Sequence, residues 1–248
     1  MRGSAARVRL PIMAANALDI FTAGATREGI AACAGPFARA CGVTLAIDTA
    51  HGHLIERQVL AGETVADVVM LPEAMIARLT EAGLAAPAIR ARLGVIRIGA
   101  AVRAGAALPD VSTMDALVRA LLGARSVVIT EAPSGQHMEA LFEALGLAAE
   151  LEGRITRYDT GTMVNEHLVR SETPDEIAFG VATEILFFRN KGVAYAGPLP
   201  DAVQMAAVYE AAMLTRSDRA EAARRLMDFL RTGTAQHAFA ETGVETDA

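Results

Sequence analysis

Lysine is almost missing from this chain: it occurs once, at Lys191, and the other 22 of the 23 basic residues are arginine. No basic cluster is longer than Arg224-Arg225, and the formal net charge is −6 over 248 residues. That pattern excludes the basic face on which a nucleic acid would bind. Cysteine is nearly as scarce, limited to Cys33 and Cys41. On one predicted amphipathic helix they stand about 12 Å apart along the axis, out of reach of a disulfide, and read as small buried apolar residues. No Cys-x-x-Cys and no Cys/His cluster of zinc spacing occurs. Long apolar runs are also lacking, so direct membrane insertion is not expected, and the mean hydropathy of +0.31 owes much to alanine. The opening residues carry Arg2, Arg7 and Arg9 without an uninterrupted apolar stretch. As written the chain reads as cytoplasmic; the alternative is a periplasmic protein whose start is truncated or mis-assigned.

What is present is ample core material. Hydrophobic residues make up 52% of the chain, enough for one or two domains. Leu18–Phe21 reads as a strand, followed by the small-residue turn TAGATREG and a helix carrying Ile30, Cys33, Phe37 and Cys41. Gly42 ends that helix, Val43–Asp48 runs extended, and Leu54, Ile55, Val59 and Leu60 resume helical spacing. The apolar run Val68–Leu71 suits a parallel strand buried on both faces. Gly94–Val102 is a longer strand, after which Ser112 is expected to cap a helix carrying Met114, Leu117 and Leu121. Ser126–Thr130 with the helix of Met138, Leu141 and Phe142 repeats the pattern. Arg154–Tyr158, a helix over about 162–170 and the strand Ile177–Thr183 continue it. From Tyr195 the rhythm changes: an extended segment, Met205–Thr215, precedes a terminal helix with Ala223, Leu226, Met227 and Leu230. Alternating strands and helices predict an α/β doubly wound chain without repeats or low-complexity linkers.

The stretch Asp48-Thr-Ala-His-Gly-His-Leu54 places two of the five histidines around a glycine. A metal needs three or four ligands, and His-x-His supplies two at most. No metal and no cofactor is expected. His51 sits in the loop, whereas His53 falls in the first helical turn and is expected to be rotated away.

Four stretches together resemble the type II periplasmic-binding-protein superfamily, and within it the molybdate-binding-like extracellular solute-binding proteins. They are LDIFTAGATREGIAACAGPFARACGVTL, AGETVADVVMLPEAMIARLTEAGL, the segment from GAAVRAGAALPDVSTMDALVRALLGARSVVITEAPSG to LFEALGL, and YAGPLPDAVQMAAVYEAAM. Their order spans residues 18–244. The resemblance implies two doubly wound α/β lobes joined by two crossing strands near Gly94–Val102 and Gln204–Tyr209, with the ligand in the cleft between them. Lobe one would be 1–97 plus 204–248, and lobe two 98–203.

In such a fold the loops after strands aim backbone N–H groups at the cleft, where a helix start favours an anion. The matching stretches are Gly24-Ala25-Thr26, with Thr26 as cap and hydroxyl donor, Thr49-Ala50-His51-Gly52, and Ser134-Gly135-Gln136 from the opposite lobe. Thr162 or Met163, and Thr183 with Glu184, would complete the wall. Two readings stand for Arg27: a bidentate partner for a carboxylate, or a solvated first-turn arginine. Glu131 and Glu184 read either as proton carriers in the cleft or as surface and hinge carboxylates. His137 follows another helix start and would face the same cleft.

The molybdate-binding proteins supply serine hydroxyls at the first two loops and a tyrosine hydroxyl in a late strand. Here those places hold Ala25 or Thr26, then His51, and Val181. The expected partner is therefore a small anion, an organic carboxylate or polycarboxylate rather than molybdate, with an ABC-transporter permease as a further partner. The same subfamily resembles aconitate isomerase, so the alternative is an isomerase using His51, His137 or Glu131 for proton transfer.

Overall fold

The structure, a computed structural model, describes residues 16–246. The arginines near the start, and the reading of location that rests on them, lie outside the described residues, as do the extreme ends of the first expected lobe. Strand β1 (Ala17–Ala23) leads through a 3-10 turn (Gly24–Thr26) into α1 (Arg27–Cys41), β2 (Thr44–Ala50), α2 (Gly52–Leu60), β3 (Val68–Pro72) and α3 (Glu73–Glu81). Then come β4 (Ala85–Arg103), α4 (Met114–Gly123), β5 (Ser126–Thr130), α5 (Pro133–Ala144), α6 (Ala148–Leu151), β6 (Ile155–Tyr158) and α7 (Gly161–Arg170). The chain closes with β7 (Glu176–Val181), α8 (Ala182–Phe187), β8 (Val193–Pro198), a 3-10 turn (Asp201–Val203), β9 (Ala206–Leu214), α9 (Ala220–Leu230) and α10 (Gly233–Ala240).

Parallel pairing builds each half. β1 pairs with β2 and β3, and β5 pairs with β6 and β7. The residues dictate this: Val68–Leu71 are fully buried, as a strand covered by helices on both faces demands. Helix α1 turns Ile30, Cys33 and Phe37 inward at helical spacing.

Strand β4 joins the halves. Its first part, through Arg97, pairs antiparallel with β9; from Ile98 it pairs antiparallel with β7 and β8. The cores divide at the same place. One gathers residues from Leu18 to Ile96 and from Tyr209 to Val244, and the others gather residues between Ile98 and Leu199. Gln204 clamps the junction: its Oε1 accepts the Ile98 N–H at 2.8 Å, and its Nε2 donates to the carbonyls of Ile98 and Leu199 at 3.0 and 3.1 Å.

Several expected boundaries shift. β4 starts nine residues before Gly94, at Ala85; Pro87 and the arginines at 90 and 92 hide an apolar alternation that β9 satisfies. The cap of α4 is Thr113, whose hydroxyl accepts the Ala116 N–H at 3.2 Å. Ser112 instead donates to the Asp110 carboxylate at 2.7 Å. β7 ends at Val181, which puts Thr183 and Glu184 on α8. Beyond α9 a further helix, α10, packs Phe239 against Gly29 of α1.

The cysteines give a direct check on this packing. Cys33 is fully buried, and burial pushes its thiol up to about 12, whereas Cys41 is partly open to solvent. A thiolate is the reactive species. One thiol per native chain is therefore expected to react with an aromatic disulfide reagent at pH 8, and two after denaturation. Two fast native thiols would show that α1 is not seated as described.

Candidate functional site

One cavity of about 340 Å³ opens where four strand-to-helix junctions meet, two from each half of the molecule. From the first half, Gly24, Ala25, Arg27 and Glu28 line it after β1, and Thr49, Ala50 and His51 after β2. From the second, Thr160 and Thr162 line it after β6, and Thr183, Glu184, Phe187 and Phe188 after β7. Each junction exists for a local reason. Ala23 is extended and hands over to a tight 3-10 turn made of small residues. His51 is the extended N-cap of α2, its carbonyl accepting the N–H groups of Leu54 and Ile55. Thr160 caps α7, its hydroxyl accepting the Met163 N–H at 3.0 Å. Val181 is the extended residue before α8.

Glu184 is the group that both halves enclose. Its carboxylate reaches between Gly24 and Gly161: a Cβ built on Gly24 would stand 2.8 Å from Oε1, and one on Gly161 would overlap Oε2. Two glycines, one at the turn before α1 and one at the start of α7, thus make room for it. Although its surface is partly open to the cavity, burial pushes the carboxyl above the usual carboxylate range, and Arg27 opposes that rise. The buried Tyr209 hydroxyl of β9 is held above its ordinary value by burial and by the Glu184 charge.

Arg27 presents its Nε to Glu28 at 2.7 Å, and its guanidinium lies 4.9 Å from the centre of the Phe187 ring. The ammonium of Lys191, the single lysine, lies 3.1 Å from the same centre. The Arg27–Phe187 contact joins the two halves across the cavity. Thr183 adds a hydroxyl that is buried on the cavity wall without a hydrogen-bond partner. Such a group costs about 1–3 kcal/mol unless something satisfies it, and it belongs to a residue of the cavity wall.

The sequence-expected residues fall into two sets. Gly24, Ala25, Arg27, Thr49, Ala50, His51, Thr162 and Thr183 come together on the cavity wall. Thr26, Gly52, Ser134, Gly135, Gln136, Met163, His137 and Glu131 do not line it. Thr26 stands at the N-cap of α1, but its hydroxyl is fully buried, shares a hydrogen bond of 2.7 Å with Thr22 and makes no cap hydrogen bond. Gly52 faces Met75 and Leu71. Ser134 is bonded to Thr130 at 3.2 Å, and Gln136 donates to the Glu131 carbonyl at 3.0 Å. Gly135 packs against the Thr130 backbone, and Met163 is exposed. His137 donates from Nε2 to the Val203 carbonyl at 2.8 Å, next to the Gln204 clamp, and the Glu131 side chain is exposed. The loop after β5 is thus consumed by its own packing. His53 does not line the cavity either: its ring faces solvent, stacked 5.5 Å from the His51 ring at 24°.

Thr160, Glu28, Phe187 and Phe188 were not anticipated. Thr160 carried a signal: Thr-Gly-Thr before a helix repeats the small-residue pattern of the other loops. The adjacent phenylalanines read as core, and only the turn of α8 exposes them to the cavity. Among the described residues, no group of three His, Cys, Asp or Glu side chains is placed to hold a metal ion. Nor is any described helix long and apolar enough to cross a membrane.

Comparison with known proteins adds four findings. The family model described as bacterial extracellular solute-binding protein matches residues 18–245. Aconitate isomerase from Pseudomonas sp is 29% identical over 243 residues, covering 95% of this chain and 91% of that protein. Among solved structures, the periplasmic molybdate-binding protein of Azotobacter vinelandii superposes with a TM-score of 0.76 at 18% identity, covering 93% of this chain and all of that one. The sulfate-binding protein SubI of Mycobacterium tuberculosis H37Rv superposes at 0.71 with 19% identity, covering 94% and 87%. The fold of all these structures is the two-lobed α/β arrangement described above.

Proposed function

The chain belongs to the bacterial extracellular solute-binding proteins, and from that premise we propose that it captures a small organic carboxylate, preferentially a polycarboxylate, in the cavity between its halves. The observation that carries this reading is the wall composition. Arg27 and His51 supply groups suited to carboxylates, while Phe187 and Phe188 supply apolar surface. A bare tetrahedral oxyanion has no carbon skeleton for phenylalanines to cover. A volume of about 340 Å³ also suits a small organic molecule, since such sites run from about 300 to 1,000 Å³. Residues 98–203 are taken as one lobe and the remainder as the other, closing on the ligand about the Gln204 clamp. Delivery of the anion to a membrane permease completes the proposed role.

A ligand panel tests it. Citrate, aconitate and tricarballylate are each expected to raise the melting temperature, by roughly 5–10 °C for the best one at a hundred times its Kd. Molybdate, tungstate and sulfate are expected to leave it unchanged. A response confined to the inorganic oxyanions, or to none of the panel, overturns the carboxylate reading.

A second reading has its own support. The likeness to aconitate isomerase covers nearly the whole chain, and of the three groups named for that isomerase alternative, His51, His137 and Glu131, only His51 lines the cavity. Moving a double bond in a polycarboxylate requires one group to remove a proton from carbon and return it at the other end of the allyl system. His51 is that group in this reading. In D₂O, aconitate would gain deuterium only in the presence of protein, and His51→Ala would lower exchange by about 10²–10⁴-fold. No exchange with the native protein rejects the enzyme reading and leaves capture standing; a His51→Ala variant unchanged in affinity and turnover removes His51 from both.

A further inference from the structure

We propose that Glu184 couples ligand capture to proton uptake: as a ligand carboxylate enters beside Arg27 and the Thr183 hydroxyl, the Glu184 carboxylate takes a proton from solvent and becomes a hydrogen-bond donor to the ligand. This rests on the carboxylate reading above and assigns the residue that sets its specificity.

The argument begins with space. Glu184 reaches into the gap between Gly24 and Gly161 that the two halves leave at the cavity wall. An arriving carboxylate therefore shares an enclosed volume with one already present. The charges on the wall do not compensate for both. Arg27 contributes one positive charge, and it already lies 2.7 Å from Glu28. Two carboxylates confined together cannot both stay ionised at low cost, and one of them protonates. A protonated Glu184 removes the excess charge and gains an O–H donor.

The neighbours of Glu184 point the same way. Burial already disfavours its charged form, and Arg27 is the cation that opposes this. Tyr209 of β9 is buried, and its ionisation is itself disfavoured by Glu184. Glu28 and His51 line the same cavity. The groups on the other elements packed against α8 are engaged elsewhere. His167 of α7 is bonded to Tyr158 and to Glu176 of β7, and Glu166 of α7 pairs with Arg170. Arg97 of β4 pairs with Asp201 and Glu245, Arg103 donates to the Ser171 carbonyl, and the Tyr195 hydroxyl of β8 is held above its ordinary value chiefly by burial, with Glu245 adding and Arg97 opposing. Thr183, adjacent in sequence and on the same wall, adds an independent sign: its hydroxyl is buried without a hydrogen-bond partner just behind the cavity lining.

Calorimetry with tricarballylate tests the coupling, because this saturated tricarboxylate has no double bond to be moved. Binding is measured at pH 6.5–8.5 in two buffers of different ionisation enthalpy, for the native protein and for Glu184→Gln. The sign follows from linkage: a group whose pKa rises on binding favours binding at low pH, so affinity falls as pH climbs above its value in the free protein. The native protein is expected to take up close to one proton more than Glu184→Gln. Its affinity should fall about tenfold per pH unit relative to the variant, whose own binding stays nearly flat. Equal proton counts in the two proteins overturn the coupling while leaving capture intact. Should the variant not fold, zero uptake by the native protein overturns it equally. No binding by either protein at any pH removes the carboxylate reading, and this inference with it.

Discussion

Replacing Gly135 with alanine is expected to lower stability by about 3 kcal/mol, a fall in melting temperature of roughly 6–12 °C for a chain of this size. Gly135 lies in the first turn of α5, where the helix meets the end of β5. A Cβ there would overlap the Thr130 carbonyl oxygen and stand 2.7 Å from its carbon. Neither partner yields easily. Thr130 is held in register with Tyr158 of β6. Moving α5 outward would instead unseat Met138 and Phe142, which are buried in the second half's core. Interiors packed this closely transmit the strain, because side chains cannot relax one at a time. Gly123 is the internal control: a Cβ at this last residue of α4 would meet nothing within 4 Å, so Gly123→Ala is expected to be neutral or to gain up to about 1 kcal/mol. Urea denaturation of the two variants checks both. A loss under 1 kcal/mol for Gly135→Ala would mean that α5 can slide on β5.

Arg27→Met is expected to weaken tricarballylate binding by about ten- to a hundredfold. Hydrogen bonds to a charged group contribute about 1.5–3 kcal/mol, and each 1.4 kcal/mol is a factor of ten in Kd. Among the described residues, Arg27 is the one arginine on the cavity wall. Methionine keeps much of the stem that packs near Phe187, so the change isolates the guanidinium. Arg27→Lys should recover only part of the affinity, because a point charge lacks the planar fork that meets a carboxylate with two bonds. The substitution also removes the cation that opposes the rise of the Glu184 carboxyl. With Glu184 more readily protonated before the ligand arrives, the Met variant should take up fewer protons on binding at pH 7 than the native protein. Calorimetry reads both effects in one titration, and an affinity within threefold of native would show that Arg27 is only a solvated first-turn residue.

Much of the fold was legible because its signals are local. The run Val68–Leu71, the helical spacing of Ile30, Cys33 and Phe37, and Gly42 after them depend on a few adjacent residues, and each held its place. What failed were features settled by distant partners. The strand was expected to open at Gly94, yet Ala85–Leu93 forms the first half of β4 because β9, more than a hundred residues later, offers it an edge. Thr113 and not Ser112 caps α4, since Asp110 takes the Ser112 hydroxyl first.

The site divides along the same line. That His51 stands in a loop before a helix follows from the sequence, because Gly52 and the change from strand to helical spacing are local facts. So does the presence of Arg27 in the first turn of α1. The loop after β5 carries the same small-residue signature as the others, and sequence could not separate it from them. Its exclusion is tertiary: Ser134 and Thr130 satisfy each other, and Gly135 serves the contact of α5 with β5. The central place of Glu184 is tertiary as well. Nothing local distinguishes it from Glu131, which ends exposed, because burial of a carboxylate depends on what the rest of the chain closes around it. Sequence determined which loops precede helices and which residues they carry; the packing of two halves across β4 decided which of those loops meet, and which carboxylate they enclose.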